Sequence, residues 1–573
     1  MKHFYKHNLF PLALASLFIF LSFFGTYQNF SPAPYMDTWA TFSGYMDFLE
    51  TKDFNFFWQQ HNEHRILLTK LIFALDYELF GGLGILNLIS TYIVLGLTGV
   101  VFLKILRVTV TSKTAELNLG KTELISLASL IFILVFYWGQ HENLTWAFQP
   151  QFVLVQLLPL MAFFVLSYSC RDSWDHFFFI SSFIAFCSIF TMANGVLVLP
   201  LLFFQSICQG KNKWQALFIL FLTFTSLYLY YLGYHSISGH SSITVGLRSE
   251  PHKVLGYTLT YIGGIFKFVS ILGKKYLFPM FMGGVFCSLL LVRLYQLLLK
   301  FKNISATEIS IVTFIVFLGG TAFGTAGGRY TFGLEQALSS RYITPSIMLW
   351  VSMGLLEISV GIRNGTMKLP LLLRKANAVF YITFFVLMVF GGQFKALRMS
   401  TKPFERAVSL LSLYLEANDH EKTKVLYPDP SFITHVSKKA KDTGFSVFGS
   451  KPFLGMDLSK KSVLEVNAIV KCEGHIDDIH ELGSNLSKIR GWVFLNDSEG
   501  KPNLLYILDR GKNIVGYGFS GGLRKDVAKV FGGKAKYSGF EGYVSKTASP
   551  KYIYDQMNDC MLRLKNSLKI TEN

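Results

Sequence analysis

Leu12–Phe24 reads LALASLFIFLSFF, an apolar segment with no charged side chain. Segments of the same kind follow along the first two thirds of the chain, among them Leu88–Leu103 and Ile125–Phe136. Each is near the ~20 apolar residues that an α-helix needs to cross the hydrocarbon core of a bilayer. Of the 573 residues, 51% are hydrophobic and only 16% are charged, which excludes an ordinary soluble globule. The sequence predicts a mainly α-helical polytopic membrane protein with about eleven transmembrane helices.

The formal net charge of +18 would suggest a nucleic-acid partner in a soluble protein. Here the Lys and Arg residues cluster between the apolar segments, where they orient the chain in the membrane. We therefore expect no nucleic-acid partner. Lys2 and Lys6 precede the first apolar segment as in a signal peptide, but no convincing small-residue cleavage site closes it, so it is predicted to remain as a span.

The basic loops fix the predicted orientation, because short positively charged loops stay in the cytoplasm. The basic segments predicted inside are Lys2/Lys6, Lys104–Lys121, Arg171, Lys211/Lys213, Lys300/Lys302 and Arg363–Lys375. The segments predicted outside are 28–82, 139–150, 192–195, 234–256 and 326–341. To keep Lys300 and Lys302 inside, Gly256–Leu272 is predicted to be re-entrant or interfacial and Leu277–Leu299 to be the next span. A last span near Phe380–Phe390 then leaves the tail outside.

After about Phe394 the long apolar segments stop and an alternating pattern with many glycines begins. We expect a transmembrane catalytic domain over 1–394 and a soluble extracytoplasmic tail. The tail is predicted to hold a connecting α/β segment over 395–455 and a small accessory β-sandwich or jelly roll over 456–573. Cys472 and Cys560 fall in this last domain and could pair if it is exported, although the sequence alone does not show that they meet.

The first outer loop carries two polar groups. Asp37 and Trp39 follow the first span, and an acid beside a membrane in an aromatic loop is a candidate functional residue. A lone Asp in this position is equally well explained as a helix cap. Farther along the loop a dense polar segment contains His61, Glu63, His64 and Arg65.

His61 and His64 are spaced i, i+3, so they could share a helix face, and a metal site with Glu63 and Asp37 could then form. The spacing differs from the i, i+4 pair of helical zinc sites. We therefore expect no metal and no other cofactor, with a divalent metal as the alternative.

The next two outer loops add further polar residues. His141 and Glu142 lie beside an aromatic stretch that ends with Gln149, and an interfacial aromatic belt explains the tryptophan there better than it explains the His-Glu pair. Asn194 lies in a Met-Ala-Asn-Gly break between two apolar segments. Asn-Gly is first of all a turn signal, and the side chain of Asn194 could still face a cavity.

Two arginines lie at the outer mouth of apolar spans, against the positive-inside bias. They are Arg329, after two glycines, and Arg341, followed by Tyr342. Arginine forks bind phosphate oxygens bidentately, so the pair is predicted to clamp a phosphodiester. The alternative is that they pair with Glu335 or with lipid headgroups.

These features together resemble one family. Asp37, HNEHR at 61–65, WAFQPQF at 146–152, MANG at 192–195 and GRYTFGLEQALSSRY at 328–342 are similar to bacterial glycosyltransferases of the GT-C superfamily. The nearest subset comprises integral-membrane enzymes that modify O-antigen or other surface glycans of lipopolysaccharide, including those of serotype conversion. The resemblance covers most of residues 1–395, and its motifs are short and degenerate.

The resemblance implies a multi-pass protein of the bacterial inner membrane with a periplasmic active site. The donor would be a sugar on polyprenyl phosphate, the acceptor a lipid-linked or surface glycan, and membrane lipid a further partner. Asp37 would be the general base, with Glu63 as the alternative, in an inverting displacement. Arg329, Arg341 and Tyr342 would hold the departing donor phosphate. Substrate-binding residues would be Trp39, His61, His64, Arg65, His141, Glu142, Gln149 and Asn194.

Two other functions fit the same polar residues. A transporter or flippase for a lipid-linked glycan also places polar side chains at membrane depth. A glycan polymerase or ligase also uses arginine clamps, with an oligosaccharide on a diphosphate carrier as donor. The large soluble tail and the long first outer loop favour an enzyme over a transporter.

Overall fold

The computed structural model describes residues 2–111, 121–235, 243–299, 304–363, 391–398, 400–460, 462–465, 470–495 and 500–564. The chain divides into two compact units. The membrane unit comprises Met1–Thr26, Phe57–Ile72 and Asn87–Leu397, and the sheet unit comprises Tyr27–Phe56, Phe73–Leu86 and Arg398–Asn573.

The described α-helices follow the apolar and amphipathic segments of the sequence. They are α1 (Lys2–Asn29), α2 (Thr38–Thr51), α3 (Asn55–Trp58), α4 (Leu67–Phe80), α5 (Ile85–Thr111), α6 (Lys121–Val135), α7 (His141–Thr145), α8 (Pro150–Leu166), α9 (His176–Cys187), α10 (Val198–Cys208), α11 (Lys213–Tyr231), α12 (Ile243–Ser249), α13 (Pro251–Ile262), α14 (Leu277–Leu299), α15 (Ala306–Arg329), α16 (Ile343–Arg363), α17 (Lys402–Tyr414), α18 (His420–Thr423), α19 (Pro430–Asp442) and α20 (Lys525–Phe531).

Seven helical segments of the described chain are long and apolar enough to cross a membrane. They are Leu9–Asn29, Ile85–Thr111, Glu123–Thr145, Lys213–Tyr231, Leu277–Leu299, Ala306–Phe332 and Ser340–Arg363. Three shorter apolar helices are Pro150–Leu166, His176–Phe190 and Ala193–Cys208. The architecture is that of a multi-pass membrane protein, and the count of about eleven stays a prediction because Phe380–Phe390 lies outside the described residues.

Within the membrane unit, α15 packs against α8, α10, α13 and α16. Phe163 and Phe317 are completely buried at the contact of α8 with α15. In contrast, Phe183, Phe221 and Leu291 are among many large apolar side chains that project from the surface. An apolar surface around an apolar core is what a lipid environment requires.

The helix α13 has only 12 residues and is followed by a short 3-10 turn over Gly264–Phe266. At 1.5 Å per residue, a helix of this length falls well short of the ~30 Å hydrocarbon core. This agrees with the prediction that Gly256–Leu272 is not a full span.

In the sheet unit, the strands of the described residues form one continuous eight-stranded sheet. The strands are β1 (Val470–Lys471), β2 (Glu473–Glu481), β3 (Leu486–Phe494), β4 (Asn503–Leu508), β5 (Ile514–Gly522), β6 (Gly539–Ser545), β7 (Tyr552–Asp555) and β8 (Cys560–Arg563). Their order is β1-β8-β7-β4-β5-β6-β3-β2. The sequence predicted two facing sheets, and the structure differs because β5 pairs with β6 and so joins all the strands into a single sheet.

The sheet curls around its own apolar core. Residues from both ends of the sheet, such as Ile476 on β2 and Leu562 on β8, join central residues such as Leu505 and Val544 in one buried cluster. Cys472 and Cys560 lie in this cluster and form a disulfide, so the pairing that the sequence left open is present.

The connecting segment over 395–455 is helical where the structure describes it, and the short strands predicted there are not present in its described residues. The helix α17 packs on β5, and buried Tyr543 of β6 donates to Asp419 at the start of α18. The helix α19 begins at Pro430, and the Asp429 carboxylate accepts from the first-turn amides of Ser431 and Phe432. Such a cap stabilises the start of a helix and favours helix over strand at α19.

Candidate functional site

The predicted site residues are divided between the two units. Asp37 and Trp39 belong to the sheet unit, and the others belong to the membrane unit.

In the membrane unit, His61–His64 forms a tight turn instead of the predicted helix face. The amide of His61 donates to the carbonyl of His64 at 2.8 Å, and the amide of His64 donates back at 2.9 Å. Asn62 has a φ of 48°, a left-handed conformation that asparagine tolerates better than most residues. The two imidazoles are therefore not related by a helix turn.

Glu63 is the centre of the first polar cluster. Its Oε1 lies 3.7 Å from Nη2 of Arg329 and 3.6 Å from Nε2 of His64. Nδ1 of His64 accepts from the amide of Ala193 at 3.1 Å, so the neutral ring carries its proton on Nε2, facing Glu63. Glu63 and Arg329 remain partly open, with 31% and 27% of their side chains exposed.

The break at 192–195 supplies the backbone amide that donates to His64. Two short 3-10 turns, Ser188–Phe190 and Ala193–Leu197, pack against each other. A Cβ on Gly195 would lie 2.0 Å from the carbonyl oxygen of Ser188, so only glycine fits. Asn194, whose side chain the sequence left free to face a cavity, donates from Nδ2 to Oγ1 of Thr321 on α15 at 3.0 Å.

Ser340 is the centre of a second polar cluster. Its Oγ donates to the carbonyl of Gly139 at 2.8 Å, lies 3.1 Å from Nδ1 of His141, and accepts from the amide of Glu142 at 3.1 Å. Oε2 of Glu142 accepts from the amide of Arg341 at 3.3 Å. The structure thus brings the predicted residues His141 and Glu142 together with the Arg341 segment.

Lys267 is a member of this second cluster that the sequence analysis missed. Its Nζ donates to the same Gly139 carbonyl at 2.8 Å. Burial lowers the pKa of Lys267 to about 8, and the Glu142 carboxylate partly opposes that shift. The signal that could have identified it is a lysine inside the apolar segment Gly256–Leu272, which was predicted to be re-entrant or interfacial.

The helix α13 supplies an aromatic neighbour for the Arg341 segment. The ring of Tyr261 lies 5.1 Å from that of Tyr342, and the Arg341 guanidinium carbon lies 5.4 Å from the Tyr342 ring centre. Burial raises the pKa of Tyr257, the neighbouring Tyr342 adds to the shift, and the charges of Arg329 and Arg341 partly oppose it. The Arg341 segment therefore packs on α13 through Tyr342 and Tyr261.

Two buried polar groups complete this region. The side-chain amide of Gln149 is completely buried, and neither its oxygen nor its nitrogen has a hydrogen-bond partner among the described residues. The ring of His61 packs 4.9 Å from that of Phe148, and its buried Nε2 also has no partner in the described part of the chain. Buried polar atoms of this kind usually bond to a ligand or to bound water.

Arg65 has a structural environment. Its guanidinium donates to the carbonyls of Trp58 and Tyr230, both at 2.7 Å, and to the carbonyl of Leu232. The last two carbonyls lie at the end of α11, so Arg65 closes that helix. With all of these bonds made internally, we leave Arg65 out of the proposed substrate-binding set.

In the sheet unit, Asp37 occupies the N-cap position of α2, yet its side chain makes no capping hydrogen bond. Burial raises the pKa of Tyr427, and the nearby Asp37 carboxylate adds to that shift. Trp39 is completely buried against Phe42 and Phe448. Its ring has no face exposed for a sugar in this conformation, and Trp39 is a core residue.

Within the described residues, no group of three or more His, Cys, Asp or Glu side chains is arranged to hold a metal ion. Comparison with known proteins identifies no relative, because no family model, no curated protein and no solved structure matches the chain.

Proposed function

We propose that this protein is a membrane glycosyltransferase that moves a sugar from a polyprenyl-phosphate donor to a lipid-linked or surface glycan such as O-antigen. The observation that carries the proposal is the group of cationic side chains in the otherwise apolar membrane unit. Arg329 lies beside Glu63, and Lys267 donates to the Gly139 carbonyl that also accepts from Ser340, the residue before Arg341. Cations held in an apolar unit favour an anionic substrate such as a lipid phosphate.

In the proposed reaction, a hydroxyl of the acceptor attacks the anomeric carbon, and the bond from that carbon to the phosphate oxygen breaks. The proton of the hydroxyl passes to Asp37 as general base, or to Glu63 in the alternative assignment. Arg329, Arg341 and Tyr342 stabilise the charge that grows on the departing polyprenyl phosphate. Direct displacement inverts the anomeric centre, and we propose that no cofactor is needed.

The proposed location is the bacterial inner membrane, with the polar clusters and the sheet unit on the periplasmic side. The Cys472–Cys560 disulfide supports export of the sheet unit, because structural disulfides form and persist in oxidising compartments. The basic loops of the sequence support the same orientation.

The first test measures release of polyprenyl phosphate by the purified protein, supplied with polyprenyl-phosphate sugars and a surface glycan. Arg329→Lys keeps the charge but loses the bidentate fork, so we expect turnover to fall at least about tenfold. The matched control is Arg293→Lys. Arg293 also pairs with one glutamate, Glu357, and its side chain is 26% exposed, close to the 27% of Arg329. Equal turnover in both variants would assign Arg329 to lipid anchoring.

The same assay separates the two base assignments. Asp37→Asn is nearly isosteric and caps a helix as well as Asp does, so a structural role predicts little change and a base predicts loss of transfer. If Glu63→Gln abolishes transfer while Asp37→Asn does not, Glu63 is the base. If neither change reduces transfer, the transferase mechanism fails. Movement of the labelled lipid-linked glycan across the bilayer would then identify a transporter.

A further inference from the structure

Tyrosines form a row across the sheet of the sheet unit. Tyr554 on β7, Tyr506 on β4, Tyr517 on β5 and Tyr543 on β6 occupy directly paired positions. Side chains at directly paired positions lie on the same face of a sheet. The ring of Tyr506 lies 6.3 Å from that of Tyr554 and 5.8 Å from that of Tyr517.

A cleft of about 1180 Å³ opens beside the middle of this row. Tyr506 and Tyr517 lie on its sheet side, and the turn at 483–486 and the segment 452–460 contribute other walls. All of its lining residues belong to the sheet unit. The volume slightly exceeds the ~300–1,000 Å³ of most small-molecule sites, so the cleft suits an extended ligand.

Four charged residues are among the described residues that line the cleft, and they form two ion pairs. Nζ of Lys441 lies 3.2 Å from Oε1 of Glu416, and Nζ of Lys460 lies 3.6 Å from Oδ2 of Asp457. The remaining polar lining consists of serine hydroxyls, one asparagine amide and the two tyrosine hydroxyls. Each lysine of the described lining has an acid beside it, so these residues give the cleft no net charge and favour a neutral ligand over a phosphate or a carboxylate.

We propose that this cleft binds a neutral oligosaccharide. A sugar ring has an apolar C–H face that packs on an aromatic ring and a rim of hydroxyls that bonds to uncharged polar groups, and the cleft offers both. Tyr506 is half-buried and Tyr517 is buried, so Tyr506 presents the accessible ring. The inference goes beyond the transferase reaction and stands on the sheet unit alone.

The test is calorimetric titration of the full chain in detergent with neutral hexasaccharides of glucose, mannose, galactose and N-acetylglucosamine, and with hexagalacturonate as a charged comparison. We expect at least one neutral probe to bind. Tyr506→Ala should weaken that binding about tenfold, and Tyr506→Phe, which keeps the ring, should change it less than about threefold. Asn485→Trp, at an exposed position of the turn at 483–486, should also weaken it by narrowing the cleft.

The control is Tyr552→Ala. Tyr552 is a half-buried tyrosine on β7 that does not line the cleft, so its removal should leave binding unchanged. The proposal is overturned if no neutral probe binds at millimolar concentration, or if only hexagalacturonate binds. It is also overturned if Asn485→Trp and a folded Tyr506→Ala bind as the wild type does.

Discussion

At the residue scale, protonation of the buried His61 ring opposes folding. Burial lowers its pKa from 6.5 to about 3, with smaller contributions from the charges of His64 and Lys70. The unfolded chain binds a proton at His61 below about pH 6.5, whereas the folded chain does not until about pH 3. Acid therefore favours the unfolded form, and the contribution of His61 to stability is full above pH 6.5 and falls as the pH drops below that value.

We expect His61 to lower the free energy of unfolding by about 1–2 kcal/mol when the pH falls from 8 to 5. The apparent Tm of the purified protein, followed by intrinsic fluorescence at the two pH values, measures the effect. His61→Gln removes the titrating group, so its apparent Tm should fall less than that of the wild type. His252→Gln, at an exposed position on α13, should behave as the wild type does. An unchanged pH response in His61→Gln would mean that the ring is hydrated in solution.

The residues of the candidate site were partly predictable. Composition and loop position identified Glu63, His64, Arg329, His141 and Glu142, because polar groups are costly at membrane depth. The partners were not predictable, because they depend on distant parts of the chain. Arg65 and Glu63 are both neighbours of His64 in the sequence. Arg65 nevertheless bonds to the carbonyl of Tyr230, which is 165 residues away along the chain.

At the element scale, the close packing of the two 3-10 turns at 188–197 depends on Gly195. Gly195→Ala would bring a Cβ to 2.0 Å from the Ser188 carbonyl, and this contact is with backbone that cannot rotate away. We expect a loss of about 2–4 kcal/mol, seen as a lower apparent Tm. Transfer should fall as well, because Ala193 carries the amide that orients His64.

The control for this change is Gly319→Ala on α15, where a Cβ would meet no atom within 4 Å. Alanine favours helix by about 0.5–1 kcal/mol over glycine, so this variant should be equally or more stable. Equal Tm values for Gly195→Ala and the wild type would show that the two turns separate easily.

Elements were predictable where one property decides them. Uniform apolar composition identified the long helices, and the alternating pattern of the tail identified its β-domain. Strand pairing was not predictable, since the junction of β5 with β6 converts two expected layers into one curled sheet. The connecting segment was expected to hold short strands beside helices, and its described residues hold no strand. An amphipathic pattern over a few residues fits either element, so the sequence did not separate the two.

At the scale of the whole molecule, the division into units constrains the number of crossings. Asp53 and Lys529 belong to one compact unit, so they lie on the same side of a membrane, and an even number of spans separates them. Six long candidate spans and three shorter apolar helices lie between them in the described chain, which is an odd number. The predicted span at Phe380–Phe390 would make the number even.

Cysteine labelling tests this route. The starting variant carries Ala at Cys170, Cys187, Cys208 and Cys287, which are free, and keeps the disulfide. Asp53→Cys and Lys529→Cys lie at exposed positions of the sheet unit and should react with a membrane-impermeant maleimide in intact cells. Asp172→Cys, in a loop predicted inside, should react only after lysis. Protection of both sheet-unit positions would invert the orientation and move the proposed site to the cytoplasm. Opposite behaviour of Asp53→Cys and Lys529→Cys would mean that an odd number of segments crosses, and the unit that holds both would not be compact.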